Sequence, residues 1–222
     1  MIEKPLNFVL IGRSGSGKGT QAKLLMEKFS NLHYISTGDL FRDLAKAETD
    51  TGERVRKILA VGGLPHDDLA TTLWMHEIAY KVKQNEGIVA DGFPRRLNEA
   101  KSLDAFLEFL ERKDNTKILL IDISREEAFN RLTKRRICKK CGRLIPWTEE
   151  FKKLKVCDQC GGELVTRSDD TAEAINNRLN YFEERVMSVI KYYEEQGRLI
   201  KINGEQPIKA VFQDILKAIK IE

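Results

Sequence analysis

Two hydrophobic rhythms divide the chain. Nearly unbroken apolar runs stand at residues 8–11, 88–90 and 118–121, with weaker ones at 33–35 and 199–202. Runs that are apolar at consecutive positions bury both faces, as strands inside a parallel sheet do. Between them apolar residues recur every three or four positions. Ala22, Leu24, Leu25 and Phe29 mark one helix, and Leu40, Phe41, Leu44 and Ala45 a second. A helix polar on most sides covers 49–60 and stops at Val61-Gly62-Gly63-Leu64-Pro65. Others are expected at 66–82, 103–110, 126–136 and 208–219, and a long one carries Ile175, Leu179, Phe182, Val186, Ile190 and Tyr193 at alternating spacings of four and three. Asp170 and Glu173 read as its capping pair, and His66 as a cap or surface residue. Strand alternating with helix predicts an α/β fold built on a doubly wound parallel sheet.

At 222 residues the chain is long enough for one domain with inserts, or two small ones. Its net charge of +4 is spread, which gives no warrant for nucleic-acid binding. There is no basic-flanked apolar leader and no run long enough to cross a bilayer, so a soluble, cytoplasmic protein away from membranes is expected. It is expected to be a monomer.

The first strand leads into Gly12-Arg13-Ser14-Gly15-Ser16-Gly17-Lys18-Gly19-Thr20, and a helical pattern follows at once. Strand, glycine loop and helix form the context a phosphate-binding loop requires. Glycines let successive N–H groups face one concavity at the positive end of a helix, and Lys18 adds a mobile cation. The hydroxyl arrives at Thr20, one residue later than in the general pattern. The strand at 87–91 delivers Asp91 at its carboxyl end, the edge where open α/β sheets bind ligands. A carboxylate there can hold magnesium through water. Gly92, Pro94, Arg95 and Arg96 follow directly.

All four cysteines fall in one insert, as Cys138-Lys-Lys-Cys141 and Cys157-Asp-Gln-Cys160, each followed by glycine and 15 residues apart. Two disulfides are one reading, but a phosphate-binding cytoplasmic enzyme works in a reducing compartment. The spacing favours two knuckles giving four thiolates to a closed, structural zinc site, with iron as the competing metal. Lys18, Arg42, Arg95, Arg131, Arg135, Arg167 and Arg178 stand at motif ends or insert boundaries. So many cations suit two phosphate-bearing ligands meeting, and no carboxylate stands out as a general base.

Taken together, and over essentially the whole chain, these motifs resemble the adenylate kinases of the long type with a zinc-bearing lid. The family's phosphate loop stands at 12–21, its monophosphate motif at Ser36-Thr37-Gly38-Asp39 with Arg42, and its Asp-Gly-Phe-Pro-Arg motif at 91–95. The resemblance implies a core at 1–35, 66–133 and 171–222, a helical monophosphate-binding insert at 36–65 and a zinc-ribbon-like lid at 134–170. It implies ATP on Gly15, Ser16, Gly17, Lys18, Gly19 and Thr20, with Arg131, Arg135 and Gln206. The monophosphate would lie on Thr37, Arg42, Gly63, Leu64, Pro65, Gly92, Phe93, Pro94, Arg95 and Glu99, with Arg167 and Arg178. Lys18, Arg95, Arg135, Arg167 and Arg178 would gather the charge of the transferring group. Asp91 and Thr20 would serve magnesium, and Cys138, Cys141, Cys157 and Cys160 zinc. The implied reaction is reversible transfer from ATP to AMP, giving two ADP.

Three positions depart from that pattern. Ser14 replaces a proline, and Leu144-Ile145-Pro146-Trp147 replaces a tyrosine-histidine pair in the lid. Glu99 stands where the family reads adenine with glutamine. An ionised glutamate only accepts hydrogen bonds, which opens GMP or a pyrimidine monophosphate as the acceptor. Asn98 beside it, or a protonated or averted Glu99, would keep AMP. A more distant reading is a zinc-ribbon nucleic-acid-binding NTPase using Lys139, Lys140, Arg143, Lys152, Lys153 and Lys155. Glu149, Glu150, Asp158 and Glu163 offset much of that charge.

Overall fold

The computed structural model describes residues 5–149, 151–167 and 170–220. The predicted core limits at residues 1 and 222, and Glu150 and Asp169 of the cysteine insert, lie outside them. In chain order the first elements are β1 (Asn7–Ile11), α1 (Lys18–Lys28), β2 (Leu32–Ser36), α2 (Thr37–Leu44), α3 (Asp50–Ala60), α4 (Asp67–Lys81) and β3 (Gly87–Asp91). Then come α5 (Leu97–Phe109), β4 (Thr116–Asp122), α6 (Arg125–Lys134), β5 (Arg136–Cys138), β6 (Leu144–Ile145) and β7 (Leu164–Thr166). The chain closes with α7 (Ala172–Tyr181), a π-helical turn at Phe182–Val186, α8 (Met187–Glu195), β8 (Leu199–Asn203) and α9 (Ile208–Ala218).

The main sheet runs β2-β3-β1-β4-β8, and every neighbouring pair is parallel. Successive side chains of a strand point to opposite faces, so each apolar run feeds two cores. Val9, Ile11, Ile118 and Leu120 pack with Trp74, Leu103, Leu107, Val189 and Tyr193 from α4, α5 and α8. Phe8, Leu10, Leu119 and Ile121 pack with Ala22, Leu25, Val211 and Ile215 from α1 and α9. The sheet is thereby sealed on both sides. Because β1 lies between β3 and β4, the crossovers diverge from it and open a crevice at its carboxyl end. The cysteine segment forms its own antiparallel sheet, β6-β5-β7.

Some boundaries differ from the pattern. Helix α5 begins at Leu97, not 103, because its first turn is tied by Glu99, whose Oε2 accepts the Arg95 backbone N–H at 2.6 Å. Helix α6 ends at Lys134, where Arg135 turns extended and the chain enters β5. The long apolar stripe is one helical course, interrupted by the π turn. Asp170 does not cap it; Thr171 does, its Oγ1 accepting from Ala174 N–H at 3.2 Å. His66 caps α4 as expected. Among the described residues no helix is long and apolar enough to cross a membrane.

Candidate active site and metal centre

Strand β1 ends at Ile11, and the next residue must turn hard. Gly12 has φ +153°, and a Cβ there would stand 2.4 Å from the Ile121 carbonyl oxygen, so only glycine fits. Gly17, at φ +97°, forms the left-handed entry to α1, so the first N–H groups of that helix face the loop. The loop's Ser16 is buried, and its Oγ has no hydrogen-bond partner among the described residues. Lys18 curls back over the loop, its Nζ donating to the carbonyls of Gly12 and Arg13, each at 2.9 Å. Burial draws its pKa down to about 8, with Asp91 opposing and Arg95 and Arg135 adding to the fall.

Asp91 closes β3 in register with Leu10. Tyr34 Oη donates to its Oδ2 at 2.9 Å, and that oxygen lies 3.4 Å from where a Cβ of Gly19 would be. Asp91 therefore faces the first turn of α1, where Thr20 sits. The next carbonyl, of Gly92, accepts from Thr37 Oγ1 at 2.8 Å and from Arg95 Nε at 2.6 Å. Ser36 caps α2, which leaves Thr37 for this contact.

Two cavities open along this edge. The first is walled by Gly12, Ser14, Lys18, Arg178 and Phe182. The second is walled by Thr37, Phe41, Leu64, Pro65 and Glu99. Gly92, Arg95 and Tyr181 belong to both. Glu99 is 4% exposed and turned inward, whereas Asn98 is exposed. Its Oε1 accepts the Trp74 indole N–H at 3.1 Å. Burial raises the Glu99 pKa, and the Arg95 N–H and charge, the indole and the Arg96 N–H oppose the rise.

Arg135, at the end of α6, forks onto Asp170, with Nη2 to Oδ1 at 2.7 Å and a shorter contact from Nε to Oδ2. Arg178 reaches the same Oδ1 at 2.6 Å. Burial would raise the Asp170 pKa, but the hydrogen bonds and charges of the two guanidiniums hold it below the usual carboxylate range. Arg131 Nε pairs with Glu127 at 2.6 Å, and its Nη2 donates to the Gly204 carbonyl at 3.0 Å, near Gln206. Gln206 itself bonds the Asn203 carbonyl and Asp214. Arg42 pairs with Asp39 at 2.5 Å across Gly38, on the exposed side of α2. Arg167 stands at the exit of β7, its carbonyl accepting from Asp170 N–H at 3.0 Å. Gly63 packs on Ile58, and the preceding Gly62 is pressed against α7: a Cβ on it would stand 2.5 Å from the Ala174 carbonyl oxygen.

Sequence pattern missed four residues here: Asp170, Tyr34, Trp74 and Tyr181. A pair of aspartates ahead of a helix and between arginines was the one available signal, for Asp170. The others act through tertiary contacts alone.

The four cysteine sulfurs lie within 4.8 Å of one another. Cys138 and Cys160 are 3.4 Å apart and Cys141 and Cys157 3.7 Å, so thiols from different knuckles pair across. A disulfide would need about 2.05 Å, whereas the edge of a tetrahedral zinc–sulfur site is about 3.8 Å. Each knuckle closes by a backbone bond, Gly142 N–H to Cys138 and Gly161 N–H to Cys157. A Cβ on Gly162 would sit 2.8 Å from Cys138 Sγ, so the sulfurs occupy the room that a side chain would take. The donor set fits zinc.

A phosphate loop on a parallel sheet, a carboxylate on the adjoining strand and converging guanidiniums define a P-loop phosphotransferase. A family model for adenylate kinase matches residues 10–198. The chain is 38% identical over 220 residues to an adenylate kinase of Desulforamulus reducens, covering 97% of this chain and 100% of the relative. It is 39% identical over 213 residues to that of Bacillus cytotoxicus, covering 95% and 96%. It is 39% identical over 217 residues to that of Methanothrix thermoacetophila, covering 96% and 98%. The chain belongs to the adenylate kinase family, and it is an enzyme of the nucleoside monophosphate kinase class that transfers phosphoryl groups between nucleotides.

Proposed function

We propose that the protein catalyses reversible, magnesium-dependent transfer of the terminal phosphoryl group of ATP to AMP, forming two ADP. The observation that carries this reading is the pair of cavities sharing Gly92, Arg95 and Tyr181, with Lys18 on one side and Thr37 on the other. Two phosphate chains laid from these cavities meet at Arg95. The relatives' name, adenylate kinase, supports adenine nucleotides as substrates.

The loop from Gly15 to Thr20 holds the ATP phosphates, with Lys18 leaving its carbonyl partners for them. Arg131 and the Gln206 backbone flank the ATP base. Thr37, Arg42, the turn from Gly63 to Pro65 and residues 92–95 hold the monophosphate. Asp91 and Thr20 would hold magnesium through water, and the ion would neutralise charge on the phosphates. An oxygen of the acceptor phosphate forms the new bond to phosphorus as the bond to the oxygen bridging to ADP breaks. That oxygen is already ionised, so no general base is needed. Arg135, Arg167, Arg178 and Arg95 stabilise charge on the group in flight. Cys138, Cys141, Cys157 and Cys160 would hold a zinc ion that fixes the fold of the lid and takes no part in transfer.

Glu99 favours one second reading, GMP as acceptor, because a carboxylate matches adjacent N–H donors on guanine. Initial rates with ATP, magnesium and AMP, GMP, CMP or UMP test both. AMP fastest is the expected result, GMP fastest installs the alternative, and no turnover with any of the four overturns the function.

A further inference from the structure

We propose that Trp74 is a positioning residue for the acceptor base: with the backbone at the start of α5 it holds Glu99 as an acceptor-only group that reads the base's exocyclic amine and leaves the adjoining ring nitrogen unread. This rests on the reading that the second cavity receives that base.

Trp74 is fully buried on α4 and stacks on Phe93, with ring centroids 5.3 Å apart and planes 8° from parallel. The stack fixes the indole, and its N–H meets Glu99 Oε1 at 3.1 Å while Arg95 N–H meets Oε2 at 2.6 Å. The Arg96 N–H adds a weaker pull in the same direction. A carboxylate offers about four lone-pair sites and these two bonds use two, so about two are left, one on each oxygen. The nearby wall is Phe41, Leu64 and Pro65, apolar surface against which a bare carboxylate would not stay ionised. Both observed partners are donors, the arrangement that suits an acceptor group at this position.

A glutamine could not take the same place unchanged. Its NH2 would face the indole N–H or the backbone N–H, donor against donor. Glu99 and Trp74 are therefore a matched pair. A remaining lone pair suits the amine of adenine and finds no partner on a purine with hydrogen at that carbon. The ring nitrogen beside the amine is itself an acceptor and receives nothing from a carboxylate.

The test compares kcat/KM for AMP and purine riboside 5′-monophosphate, with ATP and magnesium, in the wild type and in Trp74→Phe, Glu99→Gln and the double variant. The wild type should prefer AMP to the amine-free analogue by about tenfold or more, the worth of a hydrogen bond to a charged group. Trp74→Phe keeps a ring on Phe93 and loses the N–H. It should drive that ratio toward unity without moving the KM for ATP, which loss of packing alone would not do. Glu99→Gln should recover part of its AMP activity when Trp74→Phe is added. Equal rates on AMP and the analogue in the wild type would overturn the proposal, whether or not Trp74→Phe folds, and so would an unchanged ratio in a folded Trp74→Phe. If no monophosphate is phosphorylated, the function falls separately, and the same ratio is read as Kd by titration calorimetry.

Discussion

Lys18 and Asp170 show how single charges are prepared before substrate arrives. Lys18 rests on two carbonyls, partly buried among other cations, with its pKa lowered to about 8. Its charge is lost as pH rises through that value, so kcat/KM for ATP should decline above about pH 8. The fall in kcat should lie at higher pH, because bound phosphates restore the charge; a pH–rate profile of both parameters checks this. Lys18→Met should cost about a hundredfold or more in kcat. Asp170, whose side chain is fully buried, balances one of the two guanidinium charges that it holds. Its folded pKa lies below the unfolded one, so its stabilisation is present above the unfolded value and disappears as pH falls through the folded value. Asp170→Asn should destabilise the fold by about 3 kcal/mol at neutral pH and flatten that acid limb, as read by denaturant titration at several pH values.

Elements were legible in proportion to how local their causes are. The phosphate loop and the central strands announce themselves in consecutive residues. So do the knuckles, because each closes within four positions. The start of α5 was hidden, since Glu99 and the two arginines before it mask an apolar stripe and the turn is held by a side chain bonding back to the chain. Strands β5, β6 and β7 are two or three residues long, too short for any periodicity. Side-chain pairs across the fold left no trace in the pattern: Tyr34 and Asp91 are 57 residues apart, Arg135 and Asp170 35, Trp74 and Glu99 25. At this scale the cysteine sheet carries its own prediction. Purified protein should contain one zinc per chain, and Cys138→Ser should remove it and melt the lid first, seen as earlier loss of amide protection at 136–166 while the main sheet holds. Metal-free protein with unchanged melting would contradict this.

The whole molecule is braced through α7. That helix begins just after Asp170, carries Arg178, and receives the turn after α3. Asn177 Nδ2 donates to the Val61 carbonyl at 3.1 Å, beside the close packing of Gly62 on Ala174. Gly62→Ala combines a φ of +70° with a backbone clash, and should cost about 2 kcal/mol in stability. It should also raise the KM for the monophosphate more than that for ATP, as steady-state kinetics would record.

The small sheet joins the core by two neighbouring strands, with Arg136 opposite Thr166 on the first rung. Arg135 and Arg167 are the residues just outside that rung, one on the way in and one on the way out. The backbone pairing of Arg136 with Thr166 ties the positions of the two arginines to each other. Under the proposed function that rung would keep the two cations side by side over the phosphates, so a variant that breaks it should misplace both together.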